Sequence, residues 1–303
     1  MIPMYYMTVM TFACINILLS LSVGVLTGYA GQISLGQAAF MGIGAYTAAF
    51  VTTKMGLSCW LGIPCSVFAT AIVGFGLGLI SLRLKDDFLA IATMGFNFVV
   101  VGILLYAPMF GRALGMGNIP MLSLFGNPLS REAYLGFCVG SVVAVILVVW
   151  WLQRSWVGLA WRAIREVQEV ADVMGVNITK YKIFAFVVST AIAGLSGYLY
   201  AHFVLFITPY DFVFTNSTFA VTLAVLGGMG TIRGPVLGAI ILTVVPEYLR
   251  FIQDYRMLTY GLLLVVILLF QPEGLIGNKS FLWRHLTRLR IFRRKPVSVE
   301  ATQ

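Results

Sequence analysis

Four polar side chains stand out as candidates for chemistry in an otherwise apolar chain: Ser34, Gln37, Asn97 and Asn216. Each lies in or near a run of hydrophobic residues, and Ser34 and Gln37, three positions apart, share a helical face. Polar groups inside a membrane need partners and turn toward the interior of a helix bundle. They either hydrogen-bond between helices or line a path for a polar solute, and spacing alone leaves both readings open. Nothing points to metal or redox chemistry. Cys14, Cys59, Cys65 and Cys138 lie in or beside apolar segments without CxxC or Cys/His spacing, and read as small packing groups. His202 has no second His, Cys or acid at ligand spacing and reads as a helix-end packing residue. No metal and no cofactor is expected.

The elements that must hold these residues are membrane spans. Of 303 residues, 60% are hydrophobic and only 10% charged, whereas a soluble domain carries about a quarter charged residues. The net charge of +9 does not form one basic face, so nucleic acid is not an expected partner; the cations sit between apolar runs and in a tail. A hydrocarbon core about 30 Å thick needs roughly 20 apolar residues per helix. Stretches 4–27, 33–53, 59–82, 88–107 and 132–152 qualify, followed by a polar loop at 153–182, a span at 183–207, a glycine-broken stretch at 216–249 and a span at 257–271. The first run lacks a basic leader and is too long for a signal peptide, so it is expected to be retained.

The expected fold is therefore all-α, a polytopic transmembrane bundle of about nine spans, with 216–249 either two short spans or a re-entrant hairpin. With the N-terminus outside, all but five of the twenty Lys/Arg fall on the cytoplasmic side, the exceptions being Lys54, Arg112, Arg131, Arg250 and Arg256. This divides the chain into a permease-like membrane domain, 1–277, with a cytoplasmic loop at 153–182, and a basic cytoplasmic tail, 278–303.

Two further patterns concern how such a bundle works. Gly28, Gly31 and Gly36 early, and Gly227, Gly230 and Gly234 late, with Gly228 beside them, mark breaks next to apolar helices; paired broken segments surround the central site of many transporters. In the polar loop, Ala160, Ala163, Ile164, Val167, Val170, Ala171 and Met174 follow the spacing of a one-sided helix that ends at Gly175. Arg162 and Arg165 precede Glu166 and Glu169 by four residues on its ionic face. Such a helix can insert into a groove of a soluble partner or lie flat on lipid headgroups.

In order and spacing, four stretches resemble the LivM-type permeases of branched-chain amino acid ABC importers, with urea and amide importer permeases as near relatives. They are Gly28-Tyr-Ala-Gly-Gln-Ile-Ser-Leu-Gly36 with Gly42-Ile-Gly-Ala-Tyr46; Leu82 to Thr93; Arg162-Ala-Ile-Arg-Glu166 with Met174 to Lys182; and Leu226-Gly-Gly-Met-Gly230 with Pro246 to Arg250, Asp254-Tyr-Arg256 and Pro272 to Leu275. The resemblance implies a bacterial inner-membrane subunit paired with a second permease in a heterodimer. Two cytoplasmic ATPases and a periplasmic substrate-binding protein complete the assembly. The chain contains no GxxxxGK[ST] phosphate loop, which fits ATP sites on other subunits.

On this resemblance the loop couples to the ATPases through Ala163, Ile164, Glu166, Val167, Val170, Met174 and Gly175. Glu247 with Arg250, and Asp254 with Arg256, are near enough to pair at the outer surface, where structural pairing is the first reading and a landing contact for the binding protein the second. The chain departs from the family at several places: a further span usually precedes Met4, an acid often stands where Phe98 does, the outer loop reads Phe110-Gly111-Arg112, and Val167-Gln168 replaces two acids. An ion-coupled transporter is the alternative from another class.

Overall fold

The structure is a computed structural model that describes residues 4–84, 86–124 and 127–248. The expected span at 257–271, the basic tail, Arg250 and the Asp254–Arg256 pair lie outside the described residues, as does the side chain of Glu247. In chain order, α1 (Met4–Val23) continues through a wider π-helical turn at Gly24–Tyr29. Then come α2 (Gln37–Thr53), α3 (Cys59–Ser81), α4 (Asp86–Tyr106) and α5 (Arg131–Arg154). Two short helices, α6 (Trp156–Glu166) and α7 (Gln168–Val173), precede α8 (Ile178–Val204), α9 (Phe214–Gly227) and α10 (Arg233–Tyr248). This is a polytopic helical bundle; among the described residues the connection between α4 and α5 adds a two-residue antiparallel ladder, Ser123–Leu124 against Asn127–Pro128.

Among the described residues, five stretches are long and apolar enough to cross a membrane: Met4–Tyr29, Cys59–Ser81, Asp87–Tyr106, Arg131–Arg154 and Ile178–Val204. The 17-residue α2 and 14-residue α9 rise only about 25 and 21 Å, less than the hydrocarbon core. Both are short because glycine-rich turns interrupt the apolar runs. The run expected at 33–53 is helical only from Gln37, and 216–249 divides into α9 and α10, joined by residues 228–232. Gly227 faces Gly234 and Gly238 faces Leu223, so the two form an antiparallel hairpin. The span expected from 183 starts five residues earlier, because Asn177 caps α8 by accepting the Lys180 backbone N–H at 3.0 Å.

The bundle is built around α2, α3 and α8. Helices in lipid gain little from apolar burial and associate by close packing of small residues, and glycines stand at each crossing. A Cβ on Gly44 would lie 2.6 Å from the Gly194 Cα, while Gly197 faces Met41 and Ala45, and Gly74 faces Thr190. Directional bonds then fix the register: Ser66 donates to the Gly44 carbonyl at 2.9 Å and Tyr198 to the Cys59 carbonyl at 3.1 Å. His202, 2% exposed, packs on Tyr198 and meets the Pro120 carbonyl at the end of α8.

The polar loop corrects the expectation of one continuous amphipathic helix. Val167 is extended, with φ −149° and ψ 102°, and separates α6 from α7. Arg165 and Glu169 therefore sit on different helices, and the expected ion pairs give way to backbone contacts: Arg162 donates to the Gln153 carbonyl and Arg165 to the Gly28 carbonyl. The apolar ridge divides as well. Ala160, Ile164 and Ala171 are buried in the chain itself, as is Trp161, which donates to the Tyr181 carbonyl at 2.9 Å and stacks on Phe184. Val167, Val170 and Met174 remain outside at 50, 57 and 79% exposure.

Gly175 closes α7 in the left-handed conformation, φ +82°, and the Val176 N–H reaches back to the Ala171 carbonyl. Nothing lies within 4 Å of an added Cβ there, so Gly175→Ala tests backbone strain alone. It is expected to cost about 1 kcal/mol, a fall of about 2–4 °C in the thermal midpoint of the solubilised protein. Gly76→Ala, equally open but inside α3, is expected to raise the midpoint or leave it unchanged.

Candidate functional site

The start of α2 lies deep inside the bundle. Gln37, its first residue, donates to the Ser189 hydroxyl at 3.1 Å. Ser189 stands eleven residues into the 27-residue α8, roughly 16 Å from its end and near mid-depth of that span. Asn97 is likewise eleven residues into α4, which has 21. A helix that begins halfway through a membrane brings the positive end of its dipole to the centre of the bundle.

Two polar clusters surround that helix start. In the first, Ser22 donates to Gln37 Oε1 at 3.2 Å, Gln37 to Ser189, and Ser189 to the Ser22 carbonyl at 2.7 Å, tying α1, α2 and α8 in a closed ring. All three residues are fully buried. Gln37 therefore makes interhelical hydrogen bonds, one of the two readings open from sequence. In the second cluster, Asn97 Nδ2 donates to the Phe212 carbonyl at 3.3 Å and to Ser217 at 3.5 Å, while Ser217 accepts the Ala38 backbone N–H at 2.9 Å. Thr93 accepts the Leu35 N–H and Ser34 accepts the Gly36 N–H, bracing the turn before α2.

The exception to this full pairing is Asn97 Oδ1. It is buried and accepts no hydrogen bond from the described residues, a condition that costs about 1–3 kcal/mol unless something else supplies a donor. Phe40 of α2 and Phe96 of α4 pack at 5.4 Å one turn and one residue away, giving the polar start an apolar wall. Asn216 is not part of this centre: it is half-exposed, and its amide donates to the Asp211 carbonyl at 2.6 Å, bracing the turn that leads into α9. Ser22, Thr93, Ser189 and Ser217 complete the clusters and escape a sequence reading, since small hydroxyls in apolar runs are common.

The glycine breaks meet each other. A Cβ on Gly28 would lie 3.0 Å from the Gly230 backbone nitrogen, and one on Gly24 would lie 2.9 Å from Pro235. Gly36 packs on Thr93, and Gly228 turns the hairpin with φ +112°. Between the two breaks comes Arg165 from α6: its guanidinium donates to the Gly28 carbonyl, lies 2.8 Å from an added Gly230 Cβ, and its stem packs on Gly31. One side chain of the polar loop thus touches both interrupted segments. Arg165 is exposed, as its pairing with Glu169 in sequence suggested, but its contact with both breaks emerges only from the tertiary fold.

The sequence matches the family described as branched-chain amino acid transport system, permease component, over residues 5–269. It is 34% identical over 291 residues to the high-affinity branched-chain amino acid transport system permease protein LivM of Salmonella typhimurium, a match covering 88% of this chain and 68% of the relative. The LivM protein of Escherichia coli matches with the same identity and coverage. A probable branched-chain amino acid transport permease, LivH of Methanocaldococcus jannaschii, is 25% identical over 90% of this chain and 92% of its own length. No solved structure matches.

Proposed function

The chain belongs to the branched-chain amino acid transport permease family, and from that premise we propose that it is the membrane subunit of a bacterial inner-membrane ABC importer. Its cargo on this reading is leucine, isoleucine, valine or a similar small amino acid. A second permease forms the heterodimer, two cytoplasmic ATP-binding subunits supply the energy, and a periplasmic binding protein delivers the cargo. Residues 1–277 form the permease domain, the loop at 153–182 faces the cytoplasm and couples to the ATPases, and 278–303 is a cytoplasmic tail.

The observation that carries the pathway is the mid-depth start of α2 beside the unpaired Asn97 Oδ1. An amino acid brings a carboxylate, which the positive end of a helix favours, and an ammonium, which a free amide oxygen accepts. Phe40 and Phe96 offer an apolar surface to an aliphatic side chain. Ser34 and Gln37 hold the helix start in place, and Asn216 holds the turn behind Ser217. The glycines at 28, 31, 36, 227, 228, 230 and 234 keep the two breaks close enough to move together.

Uptake by vesicles containing the chain and its partner subunits tests the reading. With ATP inside the cytoplasmic compartment and the proton gradient collapsed, leucine uptake is expected to persist. Asn97→Leu is expected to reduce it about tenfold, the worth of a hydrogen bond to a charged group, without loss of assembly. Transport of urea or short amides but no branched-chain amino acid would reassign the cargo. Uptake that ignored ATP and followed the proton gradient would overturn the proposal.

A further inference from the structure

The first turn of α8 opens onto a polar cleft of about 540 Å³ whose lining includes Leu82, Gln168, Asp172, Asn177, Thr179 and Lys182. Lys182 is the anomaly in it. Only 7% of the residue is exposed, yet among the described residues no hydrogen bond or ion pair holds its ammonium. Its stem is packed away while the ammonium keeps an opening, and the side on which Lys182 stays open is the cleft it lines. The adjoining helix end adds to the same polarity. Asn177 accepts the Lys180 N–H, so the amides of Ile178 and Thr179 are the first-turn donors that the helix itself cannot satisfy.

Charge and depth together narrow what fits. The span of α3 ends at Ser81 and that of α8 begins at Ile178, so a cleft bounded by Leu82 and Ile178 lies where both helices leave the hydrocarbon, at the level of lipid headgroups. A lipid phosphate is present at that depth and matches a lysine ammonium beside a helix N-terminus. Asp172, exposed on α7, lines the same cleft. A carboxylate there opposes a second negative group and favours an amine.

We propose that this cleft binds the headgroup of an aminophospholipid, with Lys182 and the first amides of α8 holding the phosphate and Asp172 accepting the ammonium. The lipid then fills the space between α7, whose outer face remains exposed, and the mouth of α8. Its binding ties the position of the polar loop to the membrane surface.

Native mass spectrometry of the full chain, purified with its co-expressed partner subunits and stripped of lipid, provides a readout independent of transport. Phosphatidylethanolamine, phosphatidylglycerol, an uncharged diacylglycerol and inorganic phosphate are titrated separately. The wild-type protein is expected to retain phosphatidylethanolamine in preference to the other three. Lys182→Met is expected to weaken that binding about tenfold, as loss of a charge-assisted hydrogen bond does, while Lys180→Met, at an exposed position, leaves it unchanged. Asp172→Asn is expected to erase the preference over phosphatidylglycerol. Because Asp172 is exposed, that variant decides the matter even where Lys182→Met does not assemble, and an unchanged preference overturns the proposal. Equal binding by wild type and Lys182→Met overturns it too. Displacement of the lipid by inorganic phosphate at equal concentration would assign the cleft to a free anion instead. Loss of the ATPase subunits from Lys182→Met with lipid binding intact would assign it to a protein carboxylate.

Discussion

Replacing Arg165 with methionine is expected to reduce ATP-driven uptake tenfold or more while the ATPase subunits stay attached. The guanidinium donates to the Gly28 carbonyl, one of the carbonyls in the π-helical turn after α1 that lose their helical partner where the chain breaks. A cation at a helix C-terminus also meets the negative end of the dipole, and a hydrogen bond to a charged group is worth about 1.5–3 kcal/mol. Methionine keeps the stem that packs on Gly31 but removes the donor, so the breaks at Gly28 and Gly230 lose their shared contact with α6. Motion of α6 driven from outside the membrane then no longer reaches the interrupted helices.

The accompanying measurements separate this from general damage. Basal ATP hydrolysis is expected to continue in Arg165→Met, but its stimulation by the loaded binding protein is expected to disappear. Arg165→Lys is expected to restore part of the uptake, since an ammonium can reach a carbonyl but lacks the planar fork of a guanidinium. Arg162→Met, which removes a bond to the Gln153 carbonyl on an exposed face, is expected to change uptake by less than about twofold. Normal uptake by Arg165→Met would rule out the linkage, and loss of the ATPases would make Arg165 a docking residue.

Much of the bundle is legible in the sequence because lipid imposes a simple rule: apolar runs of the right length become helices. Residues 59–82, 88–107 and 132–152 fall within a few positions of α3, α4 and α5 for that reason. What misleads is local polarity near helix ends. The stretch from Ile178 to Lys182 looks like loop, yet Asn177 caps it and the helix begins there. The amphipathic spacing across 160–174 is real but does not reveal that Val167 breaks the helix, because a single extended residue leaves the apolar period nearly intact. Glycine spacing does point to two breaks. It cannot reveal that they touch, or that Arg165 lies between them, since contacts across about 200 residues arise from packing alone. Among the candidate polar residues, Gln37 and Asn97 have the same signature in sequence. Only their partners distinguish the closed ring around Gln37 from the open acceptor on Asn97.

Placing aspartate at Val170 is expected to strip the ATPase subunits from the complex altogether. The division of the polar loop into α6 and α7 moves the proposed docking surface from the ridge that includes Ala160, Ile164 and Ala171, now turned inward, to Val167, Val170, Val173 and Met174, which are 50 to 88% exposed. If that surface sits in a protein groove, a carboxylate at its centre must be buried without a partner, at a cost of at least several kcal/mol. Such a loss lowers affinity more than a hundredfold. Val167→Asp is expected to act in the same direction, whereas Ala163→Asp is harder to interpret because α6 also seats against its own chain. Gln168→Ala, at an exposed polar position, is expected to retain the subunits.

A helix lying on lipid would also reject aspartate, so Val170→Trp supplies the contrast. Interfacial lipid favours tryptophan, and the exposed Trp150 and Trp151 of α5 and Trp156 of α6 show that this end of the bundle already displays it. A groove shaped for valine instead meets overpacking. Loss of the ATPases from both Val170→Asp and Val170→Trp is the expected result. Retention of both ATPases and of normal uptake by Val170→Asp would require the docking surface to be sought elsewhere on the chain.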